Sequence, residues 1–258
     1  MKKSISAAMV GASLLCFGLS ANAADLQPRV YAKAAAYAAP VYDWSGFYVG
    51  AHVGYAWGDE RDNLSTTLGA PADRFNVQGA VGGVHAGYNW QSSQFVFGIE
   101  GDIDGSGVKG SKAFDVTVLI PFVSLIDYRG ALSFKSEWQA SLRARAGYAA
   151  NNWLLYVTGG VAFADAQSSL GVARNLNNCE GICVFLPSVA SSGRDTMTGW
   201  TAGIGTEYAF SKNWTGRAEV RYSDFGSKTF ALSDGARVLP TQVKFDQTSA
   251  TLGISYKF

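Results

Sequence analysis

The stretch EWQASLRARAGY, residues 137–148, alternates strictly. Trp138, Ala140, Leu142, Ala144, Ala146 and Tyr148 fall on one face, and Glu137, Gln139, Ser141, Arg143, Arg145 and Gly147 on the other. A period of two marks an extended strand whose sides meet different surroundings. The apolar face begins and ends on an aromatic, ten residues apart, while the opposite face carries the charge. At ~3.3 Å per residue and ~40° of tilt, that distance rises about 25 Å, the height of the apolar band of a transmembrane β-barrel. Residues 44–57 repeat the arrangement, with Phe47, Val49, Ala51, Val53, Tyr55 and Trp57 against Tyr48, Gly50, His52, Gly54 and Ala56.

Eight such segments run at about 45–57, 77–90, 95–104, 134–148, 153–164, 196–210, 214–225 and 243–258. The connections Gln91–Gln94, Ala149–Asn152 and Ser211–Asn213 are short, whereas those near 58–76, 105–133, 165–195 and 226–242 are long. Strict alternation of short and long is what up-and-down strands produce. Trp44, Phe47, Trp90, Phe95, Tyr148, Trp153, Tyr208, Trp214 and Tyr256 gather at the short-turn end, and Trp57, Trp138 and Trp200 at the other. Trp and Tyr favour a bilayer interface, so these are read as two rims. The expected fold is a monomeric, all-β, eight-stranded antiparallel up-and-down transmembrane β-barrel over 44–258. It is closed because lipid cannot satisfy an open strand edge.

Composition agrees. The chain has 258 residues with 21 basic and 20 acidic side chains, and it is 16% charged and 13% aromatic, with 30 glycines. Disordered chains are charged and poor in aromatics, and a nucleic-acid binder is basic, so neither class fits. Lys2 and Lys3, the apolar run Ile5 to Leu19 and Ala21-Asn22-Ala23 read as a secretory signal over 1–23, cut between Ala23 and Ala24. Residues 24–43 lack the period of two and read as a flexible periplasmic tail. Two cysteines remain in the exported chain, Cys179 and Cys183. An oxidising compartment favours a local disulfide; a metal site or two free thiols are the other readings.

The face opposite the aromatics would turn Glu100, Asp102, Glu137, Arg143, Arg145, Glu207, Arg217, Glu219, Arg221 and Lys257 into the lumen. An eight-stranded barrel is just wide enough inside for its own side chains, so these charges must pair. Counting from the short-turn rim puts His52, His85, Glu100, Arg143 and Glu219 in one layer, with Arg145, Glu207 and Arg217 a step away. The expectation is a lumenal polar network that fills the barrel, or one whose pairs exchange partners to open a narrow pore. Both histidines face inward, no Ser-His-acid set stands outside, and a third metal ligand is missing. No catalytic, cofactor-binding or metal residue is therefore expected, and no enzyme. Two apolar loop stretches, Asp115–Ile126 and Ile182–Ala190, are read as extending the wall or packing over the mouth, or as a partner-binding surface.

Leu252, Ile254, Tyr256 and the terminal Phe258 resemble the C-terminal insertion signal of outer-membrane barrels, which implies contact with the barrel-assembly machinery. With WSGFYVGAHVGYAW at 44–57, YVTGGVAFAD at 156–165 and GWTAGIGTEYAF at 199–210, the chain resembles the small alphaproteobacterial outer-membrane β-barrel family. These proteins are often labelled porin-family or outer membrane immunogenic proteins. The resemblance implies residence in the outer membrane of a Gram-negative bacterium, among lipid and lipopolysaccharide, with a periplasmic tail and extracellular long loops. It implies an envelope-integrity role and an extracellular partner met through the loops, with no cofactor and no defined substrate. The alternative is a narrow porin-like diffusion channel for small solutes or ions.

Overall fold

The computed structural model of the protein describes residues 42–63, 73–120, 124–177, 188–235 and 238–258. The signal segment with Ala23 and Ala24, the tail as far as residue 41, and Cys179 and Cys183 lie outside the described residues, as does most of the Ile182–Ala190 stretch. Ten strands follow in chain order: β1 (Gly46–Asp62), β2 (Asp73–Ser92), β3 (Phe95–Ser106), β4 (Lys109–Ile120), β5 (Ser124–Lys135), β6 (Trp138–Ala150), β7 (Trp153–Asn177), β8 (Val189–Ala209), β9 (Trp214–Ser233) and β10 (Val238–Lys257).

All pairings are antiparallel, and they close a ring of eight: β1 with β2, then β3, β6, β7, β8, β9, β10 and back to β1. Strands β4 and β5 are continuations of β3 and β6. Ser106 N–H donates to the Glu137 carbonyl and Ser136 N–H to the Val108 carbonyl, so the ladder passes across both breaks. Beyond them β4 pairs with β5, and β5 with β7. The ring of eight therefore holds as read from the sequence, but the long connections do not: much of 58–62, 73–76, 109–120, 124–133, 165–177, 189–195 and 226–242 is strand. Asp115–Ile120 lies in β4 and Ser124–Ile126 in β5, so the described parts of that apolar stretch extend the wall.

Exposed large apolar side chains mark the lipid-facing belt. They run from Phe47 to Trp57 on β1, Val84 to Trp90 on β2, Phe95 to Ile103 on β3, and Leu142 to Tyr148 on β6. On β7 they end at Val161, on β8 they begin at Trp200, and on β9 they end at Tyr222. β7 then continues sixteen residues past Val161 to Asn177, a further rise of about 40 Å at the same pitch and tilt. Along this far half the polarity inverts. Many outward positions are polar, including Ser111, Arg129, Ser133, Ser192 and Arg194. The interior is an apolar core in which Phe245 stacks on Phe225 (5.0 Å between centroids) and meets Phe134 (4.8 Å), with Val77, Leu132, Leu170 and Leu232 around them.

Two irregularities hid this half from a period-two reading. Ser136 faces inward, Glu137 is exposed and Gln139 faces inward again, so the β5–β6 junction inserts an extra residue and shifts the inward parity. A bulge does this by placing two residues opposite one. On β9 the inward positions change from odd to even at Gly226, whose φ of +72° suits glycine.

Glu60 lies three residues beyond the Trp57 rim, outside the membrane-spanning part, and enters this apolar interior. It is fully buried, and neither carboxylate oxygen has a hydrogen-bond partner. Burial, with Asp62 nearby, pushes its carboxyl up to about 9. A group raised in the folded state favours folding at low pH, and that contribution is lost as pH climbs through its folded value. Barrel stability should therefore fall between about pH 4.5 and pH 9, by an amount on the order of a few kcal/mol. Glu60→Gln should flatten this slope in urea titrations of the micelle-bound protein. An equal slope in the variant would assign the pH dependence elsewhere.

Candidate functional site

The lumen between the rims is built from alternate inward positions of all eight ring strands. β3 supplies Glu100, Asp102 and Asp104, β6 Arg143 and Arg145, β8 Glu207, and β9 Arg217, Glu219 and Arg221, all buried. Many of the pairs cross the tube. Arg217 of β9 reaches Glu100 on the opposite wall at 2.8 Å. Arg143 holds Glu100 (2.5 Å), Asp102 (3.0 Å) and Glu219 (2.6 Å) at once. Arg145 pairs with Glu207 at 2.8 Å, and Arg221 with Asp102 and Asp104 at 3.1 and 3.2 Å. Charges removed from water are tolerable only when paired and hydrogen-bonded in this way.

Two lumenal tyrosines complete the layer. The Tyr48 hydroxyl donates to Glu100 (2.8 Å) and that of Tyr156 to Glu219 (2.9 Å). The Arg145 guanidinium lies over the Tyr156 ring, 4.1 Å from its centroid. Glycines make room for these bulky neighbours: a Cβ at Gly205 would strike the Tyr156 ring, and one at Gly50 would strike His85. A void of about 10 Å³ remains between His52, Arg143, Arg217, Glu219, Arg221 and Thr251, about one water molecule of space.

The eight residues singled out from the sequence stand together. His52 and His85 touch each other through Nδ1 at 3.1 Å, and Glu100, Arg143, Arg145, Glu207, Arg217 and Glu219 form the ion-pair core. Missed there were Asp104, Tyr48, Tyr156 and Ser255. Asp104 shares the inward parity of Glu100 and Asp102, so the acidic stripe pointed to it. The tyrosines resembled rim residues in type, and only their parity distinguishes them. Glu137 is a correction. The bulge turns it outward, where it accepts from Lys135 (2.6 Å) and Arg194 (3.1 Å). Lys257 is half-buried at the short-turn mouth, its ammonium 4.6 Å from the Tyr42 ring centroid.

The lumen is stoppered at both ends. Above the ions, Gln139 of β6 and Gln247 of β10 exchange amide hydrogen bonds across the diameter, the Gln139 amide donating at 3.1 Å and the Gln247 amide at 2.5 Å, and the apolar far core follows. At the short-turn end Trp44 corrects the rim reading. It is 2% exposed and packs inside on Val96, Ala149, Leu154, Tyr156 and Ala209. Its backbone N–H donates to Gln91 Oε1 (2.7 Å), and Tyr42 stands edge-on against its ring. The Ser45 N–H, donating to the Asp43 carboxylate, holds that acid below its ordinary range. Among the described residues no three His, Cys, Asp or Glu side chains are placed to hold a metal ion.

A family model for the outer membrane protein beta-barrel domain matches residues 10–258. The chain is 34% identical to a 31 kDa outer-membrane immunogenic protein of Brucella melitensis over 94% of this chain and 95% of that one. It is 33% identical to a 25 kDa outer-membrane immunogenic protein of Brucella abortus, over 97% and 96%. The outer membrane protein OprG of Pseudomonas aeruginosa is similar at 13% identity and a TM-score of 0.47, over 83% of this chain and 96% of that one.

Proposed function

Because the chain belongs to the outer membrane protein β-barrel family, we propose that it is a sealed barrel with a structural and display role rather than a conduit or an enzyme. The observation that carries this is the filled lumen: a tryptophan stopper, a cross-paired ion layer and an apolar far core stand in series. An ion would have to break charge pairs and then cross an apolar core, where an unpaired charge is strongly disfavoured. Purified protein in planar bilayers should give no reproducible conductance steps. Ion-selective steps in the wild type, altered by Arg143→Ala, would instead establish the narrow-channel reading.

The polar-walled far half faces the cell exterior, and the short turns with the N-terminal tail face the periplasm. An extension of about 40 Å beyond the rim carries its tip clear of the lipid headgroups, into the lipopolysaccharide layer. The Brucella relatives bear the name immunogenic, which fits a barrel that presents its far end to the surroundings and meets extracellular partners there. A cysteine at exposed Ser192 (Ser192→Cys) should react with a membrane-impermeant maleimide on intact cells. Labelling only after the outer membrane is permeabilised would reverse the topology.

A further inference from the structure

We propose that the His52–His85 pair is a binding site for one excess proton, retained as the missing counter-charge of the ion-pair core. The described lumenal layer holds five buried carboxylates, Glu100, Asp102, Asp104, Glu207 and Glu219, against four guanidinium groups, Arg143, Arg145, Arg217 and Arg221. One negative charge is left over, and an unbalanced charge in a buried site is costly. The histidines are the remaining lumenal groups that can supply a positive charge near neutrality.

Their close polar contacts form a single chain across four strands. His52 Nε2 lies 2.7 Å from Asp104 Oδ1, the two Nδ1 atoms are 3.1 Å apart, and His85 Nε2 is 2.8 Å from Ser255 Oγ. With no excess proton, one orientation orders the chain. Ser255 O–H donates to His85 Nε2 and His85 Nδ1–H to His52 Nδ1, while His52 Nε2 carries its proton beside Asp104 Oδ1, an oxygen that has no aligned hydrogen-bond donor. One added proton at His85 Nε2 is accommodated when the Nδ1 proton of His85 passes to His52 Nδ1. His52 then carries both ring protons beside Asp104, and His85 stays neutral with its proton turned toward Ser255. A second excess proton is excluded, because two N–H groups and two cations would face each other across 3.1 Å.

The surroundings fix where the charge sits. On the β3 side Asp102 and Asp104 face the pair, and on β6 Arg143 borders the void beside His52. On β9 Arg217, Glu219 and Arg221 border it, and Arg221 shares Asp104 at 3.2 Å. Glu100 lies next along β3, bonded to Tyr48, while β10 offers the hydroxyls of Thr251 and Ser255. The acid without a full arginine share is Asp104, next to His52.

These are the two histidines of the whole chain, so ¹⁵N NMR of the ring nitrogens in the mature, micelle-bound protein reads the site without ambiguity. At about pH 7 the expected spectrum shows one cationic and one neutral ring. Asp104→Asn should leave both rings neutral at that pH. Glu207→Gln removes a carboxylate that bonds Arg145 and Arg217 rather than either histidine; it should lower the cationic fraction too, and it decides the matter where Asp104→Asn does not fold. Two neutral rings in the wild type at about pH 7, two cationic rings at about pH 5, or an unchanged cationic fraction in Glu207→Gln would each overturn the proposal.

Discussion

Glu100→Gln lowers the stability of the folded barrel by about 3–5 kcal/mol, the loss typical of removing one member of a buried ionic network. Glu100 is 1% exposed and accepts from Arg143, from both guanidinium nitrogens of Arg217 and from the Tyr48 hydroxyl. Glutamine keeps the shape and turns an acceptor of cations into a partial donor. Arg217 then faces a neutral amide in a layer with room for about one water molecule beside it. Urea unfolding in micelles, followed by the gel shift between folded and heated forms, reads the change. A loss under about 1 kcal/mol, the value of an exposed pair, would mean that water enters this layer freely.

Phe245→Ala is the second large effect, and it should separate the two halves of the tube. Phe245 is fully buried and touches both Phe225 and Phe134. Truncating a buried phenylalanine costs about 3–5 kcal/mol through lost burial and the cavity left behind. That cost falls on the far core, while the ion layer and aromatic rims stay intact. The variant should still run as a folded barrel on unheated gels, yet be cut by protease within the far half. Joint loss of both features would show that the halves fold as one unit.

The membrane barrel was legible because its two environments differ sharply. Lipid outside and paired charge inside impose a period of two that Trp138–Tyr148 displays without exception. The far half offers weaker contrast. Its outer wall mixes serine, threonine, small and charged residues, its inner wall includes alanines such as Ala164 and Ala166, and the alternation there changes parity at Glu137 and Gly226. A pattern reader meeting these shifts sees a loop. Residue choice in the lumen followed parity, so eight members were named from strand phase alone. Extrapolating that phase across a bulge misplaced Glu137. Trp44 was misread for a different reason: it precedes the first strand, where alternation says nothing about direction, and its inward turn depends on Gln91 accepting from its backbone.

The cross-lumen pairs have a mechanical consequence. A hollow eight-stranded tube can be squeezed toward an ellipse by lateral pressure, because hinging at the ladders costs little. Here Arg217–Glu100, Arg143–Glu219 and Gln139–Gln247 span the tube in different directions, the glutamine pair above the ion layer. Flattening along any one axis stretches a strut on another, so the cross-section stays round under load. In a crowded, stiff outer leaflet such a tube behaves as an incompressible rivet, of fixed footprint whatever the tension around it.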